Sequence, residues 1–181
     1  MSHTGRVRDQ VAGHGGRLRR WISPYFADDA EVAADAIYGV VLVTAVIVAS
    51  STHGESVGFV VAVAAVSVLV FWVAHVYSVM LVLYAHHGHS FGGAIRRAAS
   101  EEIGMLQATV VPLAFLAAGA IGLMEGPRAV WAALWSGVAV LVAVPTLALR
   151  RRGRPWTTSL LAGLGAGILG LVLVGLKSLL H

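Results

Sequence analysis

The chain has 181 residues, of which 57% are hydrophobic and only 12% are charged. Ordinary globular domains carry about twice that charged fraction, so the composition excludes a typical soluble domain. The chain contains no cysteine, which excludes disulfide bonds, thiolate metal sites and cysteine nucleophiles within it. Its formal net charge of +4 comes from arginines beside apolar stretches, which indicates membrane topology rather than nucleic-acid binding.

The N-terminal segment, residues 1–26, is predicted to be a basic cytoplasmic tail. Residues 1–20 are rich in Gly, His and Arg and lack apolar periodicity. The residues that follow, from Trp21 to Phe26, are mostly aromatic or aliphatic and predict an aromatic foot at the lipid headgroups. We therefore divide the chain into this tail and a transmembrane domain over residues 27–181.

Five apolar stretches are long enough to cross a bilayer. A hydrocarbon core of about 30 Å takes about 20 helical residues to cross. The stretches are 36–51, 57–85, 103–124, 129–149 and 157–176. They predict an all-α, polytopic bundle of five transmembrane helices, with the lipid bilayer as its main partner.

The basic residues alternate between the two sides of this bundle. Eleven lie in the tail and in the connections between spans two and three and spans four and five, whereas only Arg128 and Lys177 lie on the other side. The positive-inside rule then predicts a cytoplasmic N-terminus and an external C-terminus. The excess of arginine over lysine is typical of GC-rich coding, so we expect a bacterial protein of the inner (plasma) membrane.

The first candidate functional residue is Asp35, at the edge of the first apolar stretch. Asp28, Glu31 and Asp35 share one helical face through their i, i+3 and i, i+4 spacing. An acidic line that leads into a helix bundle would concentrate cations at a pore mouth. The alternative is that these acids pair with the cytoplasmic arginines.

The second candidate is His75, about ten residues from the cytoplasmic end of span two. Ionisable groups at that depth are costly and normally face the bundle interior or a water-filled space. Helical spacing puts Ser78 and His86 on the same face, which predicts an ion path or a proton relay. The alternative is that His75 makes one hydrogen bond to another helix, for example to Thr44 or Thr109.

A third candidate is the histidine-rich connection after span two. Imidazole and carboxylate ligands suit zinc or another divalent ion, so His86, His89 and Glu102 are candidate metal ligands. The run lacks a fixed metal-site spacing, and a solvated loop end is the alternative reading. We predict no organic cofactor.

Glycines mark one face of the last span. Gly163 and Gly167 form a GxxxG pair, and Gly170 extends the small-residue face. Such a face lets a neighbouring helix approach closely. It predicts helix packing, either within the chain or in a homo-oligomer.

Two short motifs carry a family resemblance. Asp35 lies in an Ala-Ala-Asp-Ala-Ile segment that opens the first span, and Trp72-Val73-Ala74-His75 lies in the second. Together with Pro112 in span three, they resemble the lysosomal potassium-channel family and its small prokaryotic relatives, which carry F-S-D-G and W-x-x-H at these places. The resemblance implies an oligomeric cation channel with span one lining the pore, and roles for Asp35, Trp72 and His75.

The chain also departs from that family's pattern. Alanines replace the Phe, Ser and Gly around Asp35, the nearby arginine is absent, and five spans are predicted where the family has six. These departures bear most on the role of Asp35, which matches the family motif in one letter.

The sequence thus predicts a small integral membrane protein that conducts or couples cations or protons along a path including His75 and Asp35. The alternative is a non-catalytic membrane subunit or scaffold that acts through the Gly163 and Gly167 face. No phosphate-binding loop and no G-x-S-x-G elbow occurs, so we do not expect an enzyme. The transported ion or small solute has no signature in the sequence.

Overall fold

The structure, a computed structural model, describes residues 29–51, 55–87 and 90–179. These residues form helices joined by short turns, and they contain no β-strand. The helices are α1 (Asp29–Ser50), α2 (Val57–His87), α3 (Phe91–Glu101), α4 (Ile103–Ala120), α5 (Gly126–Arg151) and α6 (Trp156–Leu179). The predicted N-terminal tail, residues 1–26 with the aromatic foot, lies outside the described residues.

Five of these helices, all except α3, are long and apolar enough to cross a membrane. The prediction of an all-α, multi-pass membrane protein with five spans is therefore confirmed. The apolar spans begin and end within four residues of the predicted positions, and the largest difference is at the connection between spans three and four. They are Ala33–Ser50, Val57–Ala85, Ile103–Ala120, Gly126–Arg151 and Trp156–Leu179. At that connection α4 ends at Ala120 and α5 begins at Gly126, whereas the apolar stretches predicted an end at residue 124 and a beginning at residue 129.

Local chemistry explains this difference at the α4–α5 connection. Gly122 adopts a positive φ of 79°, and the N–H of Leu123 donates to the Ala118 carbonyl at 2.9 Å. This is the usual way in which a glycine ends a helix, since only glycine reaches that φ without strain. Pro127 then occupies the first turn of α5, where its missing N–H costs nothing.

Helix α1 lies at the centre of the bundle and α2 at its edge. Helix α1 packs against α2, α4, α5 and α6, and 44% of its apolar span is buried. Helix α2 packs against α1, α3 and α4, and only 17% of its span is buried. Because α2 is apolar all round, its open face suits contact with lipid.

Helices α5 and α6 pack closely through small residues. Gly163, Gly167 and Gly170 are buried, and a methyl group on any of them would collide with α5. At Gly163 the collision would involve the Thr146 hydroxyl and the backbone carbonyl of Val142. These glycines therefore serve packing within the chain.

Helix α3 is a short additional helix that folds back on the end of α2. It begins at the N-cap Ser90, whose side chain accepts a hydrogen bond from the Gly93 N–H. Ala94 and Ala98 are fully buried against Met80 and Leu83 of α2. Helix α3 therefore runs back along α2 towards the bundle and ends where α4 begins.

Candidate functional site

Three polar side chains from different parts of the chain meet inside the bundle. They are Asp35 on α1, His75 on α2 and Glu102 between α3 and α4. One potential ligand atom of each lies within 4.8 Å of the others. We call this group the acid–histidine cluster. It lies towards the end of the bundle where α1 and α4 begin.

A glycine brings the two carboxylate-bearing segments together. Gly39 lies one turn after Asp35 and faces Met105, which lies one turn after Glu102. A methyl group on Gly39 would lie 2.8 Å from the Met105 carbonyl oxygen, so only glycine allows this approach of α1 to α4. The same close approach sets Asp35 beside Glu102.

Glu102 forms the buried end of the cluster. It is only 5% exposed, and its Oε2 atom has no hydrogen-bond partner among the described residues. Burial raises the pKa of its carboxyl above the usual value, and the charge of Asp35 raises it further, whereas His75 acts in the opposite direction. A buried carboxylate without a partner is costly, so this position favours either a bound proton or a bound cation.

Glu101 and Glu102 are adjacent, but they lie in contrasting environments. Glu101 accepts a hydrogen bond from Arg97 Nε at 2.8 Å, and both side chains are substantially exposed. Glu102 ends α3, with its backbone N–H donating to the Ala98 carbonyl at 3.0 Å. Successive residues of a helix point about 100° apart, which explains why one carboxylate faces outwards and the other faces the cluster.

Asp35 and His75 form the more open side of the cluster, since both are partly exposed. The Tyr38 ring lies beside His75, with ring centroids 5.4 Å apart and an angle of 39° between the planes. Tyr38 is 45% exposed and follows Asp35 by nearly one turn. The cluster thus has one buried carboxylate and two partly exposed groups, with the exposed Tyr38 ring beside them.

The two threonines considered as partners of His75 both donate to carbonyls of their own helices. The Thr44 hydroxyl donates to the Val40 carbonyl at 2.7 Å, and the Thr109 hydroxyl donates to the Leu106 carbonyl at 2.9 Å. Both hydroxyl groups therefore donate to carbonyls within their own helices. His75 instead lies among carboxylates and an aromatic ring.

The other predicted site residues are Ser78, His86 and His89. Ser78 lies on α2, three residues after His75, and is exposed, so its place in the path stays a prediction. His89 and the side chain of His86 lie outside the described residues, so the predicted set of His86, His89 and Glu102 stays a prediction. The sequence does not indicate that Glu102 lies close to Asp35.

Two further polar groups are buried outside the cluster. The Trp72 Nε1 atom, one turn before His75, is buried and has no hydrogen-bond partner in the described part of the chain. At the other end of the bundle, Lys177 is 3% exposed and its Nζ donates to Ser51 Oγ at 2.6 Å. This contact ties the end of α6 to the end of α1.

Comparisons with protein-family models, curated proteins and solved structures give no match to this chain. The fold and the cluster therefore define it only by class. It is a polytopic helical membrane protein with an acid–histidine cluster between three of its helical segments.

Proposed function

We propose that this protein moves or couples cations, protons included, across a membrane through a path that contains His75 and Asp35. The observation that supports this function best is the meeting of Asp35, His75 and Glu102 within 4.8 Å. Three separate segments supply these side chains, so the cluster depends on the folded bundle.

Electrostatics argues that the cluster attracts positive charge. Ionisable groups between transmembrane helices are costly and are usually kept where they bind or transfer a charged species. Two carboxylates at this separation repel each other, and a shared proton or a bound cation relieves that repulsion. His75 alone supplies at most one positive charge to this group.

The position of the cluster suits entry from the cytoplasm. Asp35 follows the first residue of α1 by six positions, which is about 9 Å along a helix. The arginine distribution predicts a cytoplasmic N-terminus, and on that orientation the half-exposed side of the cluster is close to the cytoplasmic surface. Cations attracted by the acidic side chains would enter there.

A flux assay tests this proposal. Purified protein in proteoliposomes should dissipate an imposed K⁺ or H⁺ gradient, measured with ion-sensitive dyes inside the vesicles. We expect His75→Ala and Asp35→Asn to lower the flux at least tenfold, because the first removes the imidazole from the path and the second removes the carboxylate charge. Ser136→Ala, on α5, removes a hydroxyl that donates to the Ala133 carbonyl of its own helix and should leave the flux unchanged.

Equal flux in the wild type, His75→Ala and Asp35→Asn would contradict the proposed path. Size-exclusion profiles and helical circular dichroism of each variant distinguish a loss of flux from a loss of fold. The scaffold alternative predicts instead that His75→Ala and Asp35→Asn do not differ from the wild type in the flux assay. It would also require a partner to displace α5 from Gly163 and Gly167.

A further inference from the structure

We propose that Asp35, His75 and Glu102 together bind one divalent transition-metal ion of the series from Mn²⁺ to Zn²⁺. This inference rests on the proposed function, because it takes the acid–histidine cluster as the cation site. It goes further by naming the class of cation.

The ligand types select this class. One imidazole nitrogen and two carboxylates form a mixed set that suits Mn²⁺, Fe²⁺, Co²⁺ and Zn²⁺. Ca²⁺ and Mg²⁺ favour shells made of oxygen alone, so the imidazole of His75 counts against them. Three protein ligands leave a coordination position for water, as in metal sites that exchange a ligand.

The geometry is close to that of a metal site. Bonds of about 2.0–2.2 Å place the ligands of a tetrahedral ion about 3.4 Å apart. The ligand atoms here lie within 4.8 Å of one another, so side-chain movements of about 1 Å close the difference. Asp35 and His75 are partly exposed and have room for such rotations.

The buried carboxylate points independently to a ligand. Glu102 is 5% exposed, its carboxylate belongs to the cluster, and its Oε2 atom has no hydrogen-bond partner in the described segments. Arg97, four residues from Glu101, pairs with that neighbouring carboxylate instead. A divalent ion would neutralise the two carboxylates of Asp35 and Glu102 and provide a partner for Glu102 Oε2.

Metal titration of the purified protein in detergent tests the inference. Protein stripped with a chelator is titrated with Co²⁺, followed by visible absorption, and with Zn²⁺, followed by calorimetry. We expect one saturable site per chain. His75→Ala and Glu102→Gln should each weaken binding by at least about tenfold, since even loss of a group that only supports a ligand costs that much.

Two control variants make the result specific. Glu101→Gln removes the adjacent carboxylate, which pairs with Arg97 outside the cluster, and should leave the affinity unchanged. The double variant His86→Ala/His89→Ala removes the histidines of the alternative metal set and should also bind normally. If either cluster variant does not fold, Asp35→Asn at a partly exposed position provides the same test.

Three outcomes would overturn the inference: no saturable binding, binding retained by His75→Ala and Glu102→Gln, or binding lost only in the His86/His89 variant. The test is independent of flux because it uses no membrane and no gradient. Metal binding without flux of any cation would leave this site standing and remove the transport proposal. Flux of K⁺ or H⁺ without metal binding would remove the metal site and leave the transport proposal standing.

Discussion

Glu102 shows how one side chain acquires its role from its position between two helices. Its neighbour Glu101 is similar in sequence context but pairs with Arg97 at the surface. Glu102 comes one helical step later and is buried beside Asp35 and His75. The sequence indicates two adjacent acids but not which of them faces inwards, because that depends on the rotation of α3 about its axis.

The burial of Glu102 leads to a prediction about stability. Glu102→Gln keeps the shape of the side chain and removes its repulsion with Asp35, so in the presence of a chelator the variant should be as stable as the wild type or more stable. The amide of the variant is still a buried polar group, so any gain comes from the lost charge repulsion alone. Thermal unfolding in detergent measures it. A melting temperature clearly below that of Glu101→Gln would contradict the prediction.

At the scale of elements, the contact between α1 and α4 determines whether the cluster exists. Gly39 and Met105 touch one turn beyond Asp35 and Glu102, so the distance between these helices sets the distance between the carboxylates. Neither helix could be placed against the other from its sequence, because the apolar residues of both are distributed nearly all round. Nothing in the sequence distinguishes Gly39, the glycine at this helix contact, from the other glycines in the chain.

A substitution at Gly39 tests this dependence. Gly39→Ala puts a methyl group 2.8 Å from the backbone carbonyl oxygen of Met105, which has little freedom to move. We expect a destabilisation of about 1–3 kcal/mol, as is typical of overpacking, together with weaker Co²⁺ binding. Thermal unfolding and the metal titration measure the two effects. Gly165→Ala on α6 is the control, since nothing lies within 4 Å of its added methyl group; equal effects of the two variants would argue against the close approach.

Helix α3 explains why sequence reasoning found only part of the cluster. Gly92 and Gly93 follow the polar residue Ser90 and precede a pair of arginines, a composition that indicates a connecting loop. The helix forms because Ser90 caps it and because Ala94 and Ala98 pack on α2. Short helices gain most of their stability from such tertiary contacts, which local patterns do not reveal. Because the sequence does not indicate α3, it suggests a metal site of Glu102 with the nearby histidines His86 and His89 instead of a cluster with Asp35.

At the scale of the whole molecule, the transmembrane fold is the part that the sequence predicts well. Length and apolarity are enough to identify a span, because a bilayer demands about 20 apolar residues whatever the spans then contact. Asp35 and His75 were identified for the same reason, as ionisable groups beside or within apolar helices. Their meeting with Glu102 depends on long-range packing among α1, α2 and α4, which hydropathy does not encode.

Orientation is a further prediction for the whole molecule. With eleven basic residues on one predicted side and two on the other, we expect the N-terminus in the cytoplasm and the C-terminus outside. Alkaline phosphatase fused to the C-terminus should be active, and green fluorescent protein fused there should be dark. The reverse pattern would mean that the charge bias does not orient this bundle, and that the cluster opens away from the cytoplasm.

The burial of Lys177 has a consequence for the chemical character of the protein's positive charge. Lys177 is the one lysine in the chain, and it is held inside the bundle against Ser51. All twelve other basic side chains are arginines, whose guanidinium groups stay protonated at any pH a cell experiences. Enzymes that acetylate lysine therefore find no target side chain on the folded surface, and the positive charge that the arginines supply beside the spans is permanent.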